Sequence, residues 1–146
     1  MGMLKWIDLP PVWLLGFIGA AWLVRPDTDF VPLATTGTIV FWIGIAFILW
    51  AVVTMSMAKT TVVPHMRAAR LVTNGPFRIS RNPIYLGDAF VLSGLLLRWD
   101  MAWYLPVVIL FAWIISVRFI RPEEARLTED FGEEFQNWCL KTRRWL

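Results

Sequence analysis

The 146-residue chain has one cysteine and one histidine. Cys139 alone cannot close an internal disulfide, and no Cys-x-x-Cys or zinc-type spacing is present. With His65 the single imidazole and no acidic cluster in the apolar part, no metal centre is expected. Neither a Gly-x-Gly-x-x-Gly nor a P-loop pattern occurs, which argues against a Rossmann-type nucleotide site. Charge is also scarce. Charged residues make up 17% of the chain, against about 25% in an average soluble domain. There is none between Phe30 and Ala58, and no acid between Lys59 and Arg81. No cleavage-site pattern follows the N-terminal apolar stretch, which is therefore read as a retained anchor. The last residues do not form a prenylation signal. Nothing points to a nucleic-acid partner.

What is abundant is apolar surface. Hydrophobic residues reach 58%, with ten Trp and ten Phe. The expected class is an all-α integral membrane protein with a single domain over residues 1–146. Four apolar segments stand out, at about 9–24, 33–56, 83–97 and 101–117. A straight span needs about 20 residues, so three of them are short. Trp6, Trp99, Trp103 and Tyr104 are placed to extend them into the interface as an aromatic belt. The link Arg98-Trp-Asp100 is tight enough to make segments three and four an antiparallel hairpin. The loop Lys59–Arg81 is purely basic and the loop Arg25–Asp29 net negative. The positive-inside rule then puts the former in the cytoplasm, and four spans put both termini there too. A bacterial inner membrane is the expected compartment. Beyond segment four, Leu127, Phe131, Phe135 and Trp138 share one helical face, with Pro122, Glu123 and Glu124 at its start. This predicts a cytoplasmic amphipathic C-terminal helix, folded back on the membrane or on the basic loop.

The stretch from Leu71 to Gly87 concentrates Gly, Pro, Arg, Asn and Tyr beside an apolar segment. Irregular backbone and charge at a membrane edge point to binding. Asn82 suits an N-cap and Pro83 a first helical residue. Such a helix start, with Arg81 beside it, is a natural carboxylate site. Tyr85 and Phe77 offer ring faces, and Gly87 permits a close approach of backbone or ligand. The plainer alternative is a simple helix cap, with Arg78 and Arg81 on lipid phosphates. Glu123-Glu124 falls on the same side and can accept hydrogen bonds from a diol, although dipole compensation at a helix start explains it without a ligand. Asp88, one turn into segment three, reads first as an ion-pair partner of Arg81 or Arg118. His65 is a possible general base, but a lone loop histidine is more often solvated.

Taken together, Thr60-Thr-Val-Val-Pro64, Leu71-Val-Thr-Asn-Gly-Pro-Phe77, Arg81-Asn-Pro-Ile-Tyr-Leu-Gly87, Glu123-Glu-Ala-Arg-Leu127 and Phe131-Gly-Glu-Glu-Phe135 resemble the isoprenylcysteine carboxyl methyltransferases and their phospholipid methyltransferase relatives. The shared signature is Arg-(His or Asn)-Pro-x-Tyr-x-Gly, a span hairpin, then Glu-Glu, over residues 60–146. The resemblance implies a membrane methyltransferase using S-adenosylmethionine, with cofactor-binding flanks at 60–87 and 118–138. Carried over by position, the cofactor contacts are Arg70, Leu71, Val72, Phe77, Asn82, Pro83, Ile84, Tyr85 and Glu123, with Arg81 and Glu124 in the same motifs. Arg118 and Arg121 are the candidates for positioning the substrate. Asn82 stands where many members have His, and Phe77 where Tyr is typical. The acceptor is expected to be hydrophobic or membrane-embedded: an isoprenylcysteine-like carboxylate, a lipid amine, or a small thiol or amine. The competing expectations are an NADPH-dependent membrane reductase of related architecture and a non-enzymatic membrane adaptor.

Overall fold

A computed structural model describes residues 8–28, 32–60 and 68–146. His65, Trp6 and Thr61–Pro64, singled out above, lie outside the described residues. All regular structure in the described residues is helical. α1 spans Pro10–Val24, α2 Ala34–Met57, α3 Pro83–Arg98, α4 Pro106–Ile115 and α5 Arg121–Lys141.

Local chemistry sets the ends. α1 and α3 each begin on a proline, whose missing N–H and fixed φ suit the first turn. α1 stops at Arg25, held extended (ψ 140°) because it precedes Pro26. α2 ends with the Thr60 N–H donating to Met55 O (3.2 Å) and the Lys59 N–H to Ser56 O (3.0 Å), with Lys59 at φ +54°. That is a Schellman stop built without glycine. α3 ends the same way. Asp100 takes φ +58° and the Met101 N–H reaches Leu96 O at 2.8 Å. The short turn Ala102–Tyr104 then leads into α4, so the tight hairpin expected from Arg98–Asp100 is formed. Trp103 at its tip is 94% exposed, as a belt residue would be.

α2 and α3 lie antiparallel and pack through glycine. A Cβ on Gly94 would sit 2.4 Å from Phe41 N, and one on Gly44 2.6 Å from Gly87 O. Gly37 meets the Arg98 and Gly94 backbone just as closely. Seven-residue spacing (Gly37, Gly44 and Ala51 against Gly87 and Gly94) keeps the small residues on the contact line. The close approach at Gly87 is therefore made by α2, not by a ligand. The main core joins Leu92, Leu96, Phe111, Ile115 and Ile120, with Phe17 of α1 edge-on to Phe111 at 5.5 Å.

Large apolar side chains face outward. Leu23, Ile39, Trp42, Leu49 and Ile109 are all more than half exposed. α1 and α2 bury only Pro10, Ala21, Gly37, Gly44 and Ala51. Helices apolar all round with an uncovered surface of this size are built for lipid. Among the described residues, two helices are long and apolar enough to cross a membrane, Ala34–Met57 and the continuous rod Ala102–Lys141. At 1.5 Å per residue α1 and α3 rise only about 23 and 24 Å, short of the ~30 Å hydrocarbon core. Length alone thus supports two spans where the sequence led us to expect four.

The rod also joins two segments that the sequence suggested as separate helices. No break in the helix separates segment four from the amphipathic tail helix. Segment four passes through a π-helical turn, Ser116–Ile120, straight into α5. Pro122 explains the turn, because it cannot donate to the carbonyl one turn back and its ring needs extra room there. At Gly132 (φ +49°, ψ −119°) the backbone leaves helical geometry and two helical pieces meet at a kink.

Candidate functional site

Five parts of the fold meet at one end of the bundle: the starts of α1 and α3, the end of α2, the turn Gly75–Arg78 and the beginning of α5. A cavity of about 280 Å³ opens between them, near the lower bound of ~300 Å³ for small-molecule pockets. Pro10 and Pro11 form one wall, and Ile48, Val52 and Met55 of α2 another. Phe77, Arg81, Asn82, Pro83, Ile84, Tyr85, Asp88 and Glu123 complete it.

The α3 start is held in an unusual manner. Asn82 is the N-cap residue, yet its side chain makes no capping bond. Its Nδ2 donates instead to Arg144 O at 2.9 Å. Ser80 Oγ also donates to Arg144 O (3.1 Å) and accepts from the Asn82 N–H (3.1 Å), while the Arg81 N–H donates to Arg143 O (2.9 Å). The residues after α5 thus form a strap across Ser80–Asn82. The first-turn N–H groups of α3 are left without a side-chain cap, which is the arrangement that receives an anion.

Arg81 and Glu124 are largely buried and bonded at 3.0 Å. Arg144 completes a triad, its Nε 3.0 Å from Glu124 Oε1 and an NH2 group on Oε2. The carboxylate keeps the Arg144 guanidinium more firmly protonated than a free arginine. Arg81 Nε is buried and has no acceptor among the described residues. An orphaned donor beside a cavity is costly unless something binds it. Tyr85 OH lies 3.5 Å from Glu123 Oε2, a long contact of the kind that tightens around a ligand.

Behind this wall, Phe77 and Val72 pack with Ala51, Phe135 and Trp138, and Leu71, Leu127 and Phe131 border the cluster. Trp138 Nε1 donates to Phe77 O at 3.3 Å. The apolar face read in α5 therefore folds back on the Leu71–Phe77 segment.

Of the sequence candidates, the structure brings Phe77, Arg81, Asn82, Pro83, Ile84, Tyr85 and Glu123 to one cavity. Leu71 and Val72 support it from behind, and Arg70 is exposed. Glu124 is turned to the arginines. Arg118, on the π turn, is bound to Asp8 at 2.6 Å and faces the Trp13 ring, and Arg121 is exposed. Two expectations change. Asp88 pairs with neither Arg81 nor Arg118, because Glu124 and Asp8 hold those cations. Dipole compensation does not account for Glu123-Glu124 either, since no free helix start exists inside a continuous rod. Sequence reasoning missed Ser80, Arg143 and Arg144. The only available signal was the tail's Arg-Arg pair, because two of the strap's acceptors are backbone carbonyls that any residue supplies.

The orphaned Arg81 Nε, the uncapped helix start and the apolar walls suit a ligand that carries an anionic group on an apolar or aromatic body. Searches of curated proteins and of solved structures returned no match. A family model described as phospholipid methyltransferase matches residues 33–134, a stretch that takes in both α2 and the Glu123-Glu124 corner of the cavity. Methyl transfer to lipid-type acceptors is the activity of that family. With most of its length covered, including nearly all of the cavity wall, this chain belongs to the phospholipid methyltransferase family of membrane proteins.

Proposed function

We propose that this protein transfers a methyl group from S-adenosylmethionine to a hydrophobic, membrane-embedded acceptor. The observation that carries the reading is the meeting, in one cavity, of the Arg81–Tyr85 helix start with Glu123, across the length of the α3–α4 hairpin. The α3 start and Arg81 would hold the cofactor's carboxylate. Glu123 would accept from its ribose hydroxyls, and Phe77 would stack against its adenine. The cofactor supplies a methyl group on a cationic sulfur, an electrophile that needs alignment more than acid–base assistance. The chain's contribution is position and dryness: Ile48, Val52 and Met55 exclude water, and the rigid helix start fixes orientation. The acceptor enters from lipid, between helices. The whole chain acts as one domain with four membrane segments, in which α1 and α3 are tilted short elements completed by interfacial residues. Both termini lie on the cytoplasmic side, in a bacterial inner membrane.

The test is calorimetric titration of S-adenosylhomocysteine into detergent-purified protein, with NADPH in parallel. Micromolar binding of the nucleoside alone is the expected result, and Glu123→Ala weakens it while the protein stays membrane-inserted. Binding of NADPH alone would sink the reading in favour of a reductase. Binding of neither by folded protein would favour an adaptor.

A further inference from the structure

Asp88 is the one group in the cavity that neither the cofactor reading nor the packing uses. It is 5% exposed, lines the cavity, and has no hydrogen-bond or ion-pair partner among the described residues. It follows Tyr85 by three residues, which places it on the same face of α3 and about 4.5 Å further along the axis from the polar mouth. Its level is that of Ile48, the α2 residue that a Cβ on the neighbouring Gly87 would strike at 2.6 Å. The cavity thus runs from a polar end at Arg81 and Asn82 to an apolar end with a single carboxylate. A buried carboxylate without a partner is costly, and beside a cavity that cost is offset by a ligand cation or by a proton.

We propose that Asp88 is the acceptor-side catalytic residue, receiving a protonated amine carried on an apolar tail. This rests on the methyltransferase reading above and adds to it the group that takes the acceptor's proton. The step balances as follows. An N–H proton of the ammonium passes to the Asp88 carboxylate, which frees the nitrogen lone pair. That pair forms the new N–C bond while the C–S bond breaks, its electron pair remaining on sulfur. Positive charge leaves sulfur and appears on nitrogen, and the Asp88 proton returns to water. Asp88 holds the transferred proton while the methyl group moves, and once that proton has passed to water its carboxylate pairs with the ammonium product, whereas a carboxylate beside the sulfur would stabilise only the starting cation. An anionic acceptor would meet like charge in a site with few counter-ions.

Asp88→Asn keeps the volume and removes the base and the charge. The experiment titrates S-adenosylmethionine and S-adenosylhomocysteine into both proteins. It then follows tritiated methyl transfer to phosphatidylethanolamine vesicles and to N-acetyl-S-farnesylcysteine. The expected result is unchanged binding of both nucleosides and a loss of amine methylation of about 100-fold or more in the variant. Three outcomes overturn the proposal: full amine methylation by the variant, wild-type methylation of the carboxylate probe alone, or a variant that weakens the methionine form but not the homocysteine form, which would put the carboxylate at the sulfur. Wild-type protein that binds neither nucleoside overturns the parent reading and this proposal with it.

Discussion

The two ends of the bundle are built from similar residues and differ in what they join. At the hairpin end, Arg98 donates to Thr38 at 2.8 Å, Trp22 stacks edge-on to Trp99 at 5.5 Å, and Arg25 covers Trp22. The Arg98–Thr38 bond stands apart, Arg25 and Trp99 share the exposed Trp22, and no ion pair is among these contacts. At the cavity end, Arg81, Glu124 and Arg144 share one partly buried network, and the strap ties residues 62 and 64 positions apart. Arginine at the first end anchors an interface, and at the second it is part of a site. The difference is the desolvated carboxylate between two cations: once such a network is formed, the loss of one member leaves the others uncompensated.

The largest effect is expected where both ends depend on one scaffold. Gly94→Leu forces a side chain into the Phe41 backbone, costs upwards of about 3 kcal/mol, and abolishes folded yield as read by size-exclusion chromatography in detergent. Next comes the cavity-end network. Glu124→Gln leaves Arg81 and Arg144 facing a neutral group. Allowing for the partial exposure of Arg144, it costs roughly 1–3 kcal/mol, frees the strap to added protease, and lowers nucleoside affinity in the same calorimetric assay. A third variant separates site from scaffold. Glu123→Gln weakens S-adenosylhomocysteine binding by about tenfold, one charge-assisted hydrogen bond's worth, and leaves thermal unfolding near the wild-type midpoint. The smallest effect belongs to the hairpin end, where Arg98→Ala costs about 1 kcal/mol or less and leaves nucleoside binding untouched. If Arg98→Ala impaired binding as strongly as Glu124→Gln, the two ends would be coupled and the contrast between them would fail.

Much of this was legible in the chain. Apolar runs placed α1 to α4, an amphipathic face placed α5, Pro83 marked a start, and Asn82–Tyr85 and Glu123 both reached the cavity. Long-range pairing was not legible, for physical reasons. Asp88 was assigned a cation by proximity in sequence, but Arg81 and Arg118 found partners 43 residues downstream and 110 upstream. Pro122 looked like a first helical residue because proline at a true start and proline beside a π turn have the same local signature. The strap was invisible because carbonyls carry no side-chain identity. The glycine register was present in the sequence, since Gly37–Gly44 and Gly87–Gly94 share a seven-residue period, but helix contact is only one of several reasons for glycine.

The strap also sets a schedule. Arg144 is translated 62 residues after Asn82, which at about 5–20 residues per second is several seconds later. Throughout that interval α2 and α3 are already made while the carbonyls that brace Ser80–Asn82 do not yet exist. A nascent chain is therefore inserted but inert, and a product cut short before Arg143 would persist as a membrane-bound protein without a finished site. Quality control that inspects only insertion would pass it, so the abundance of this protein in a membrane and the amount of working enzyme are separate quantities.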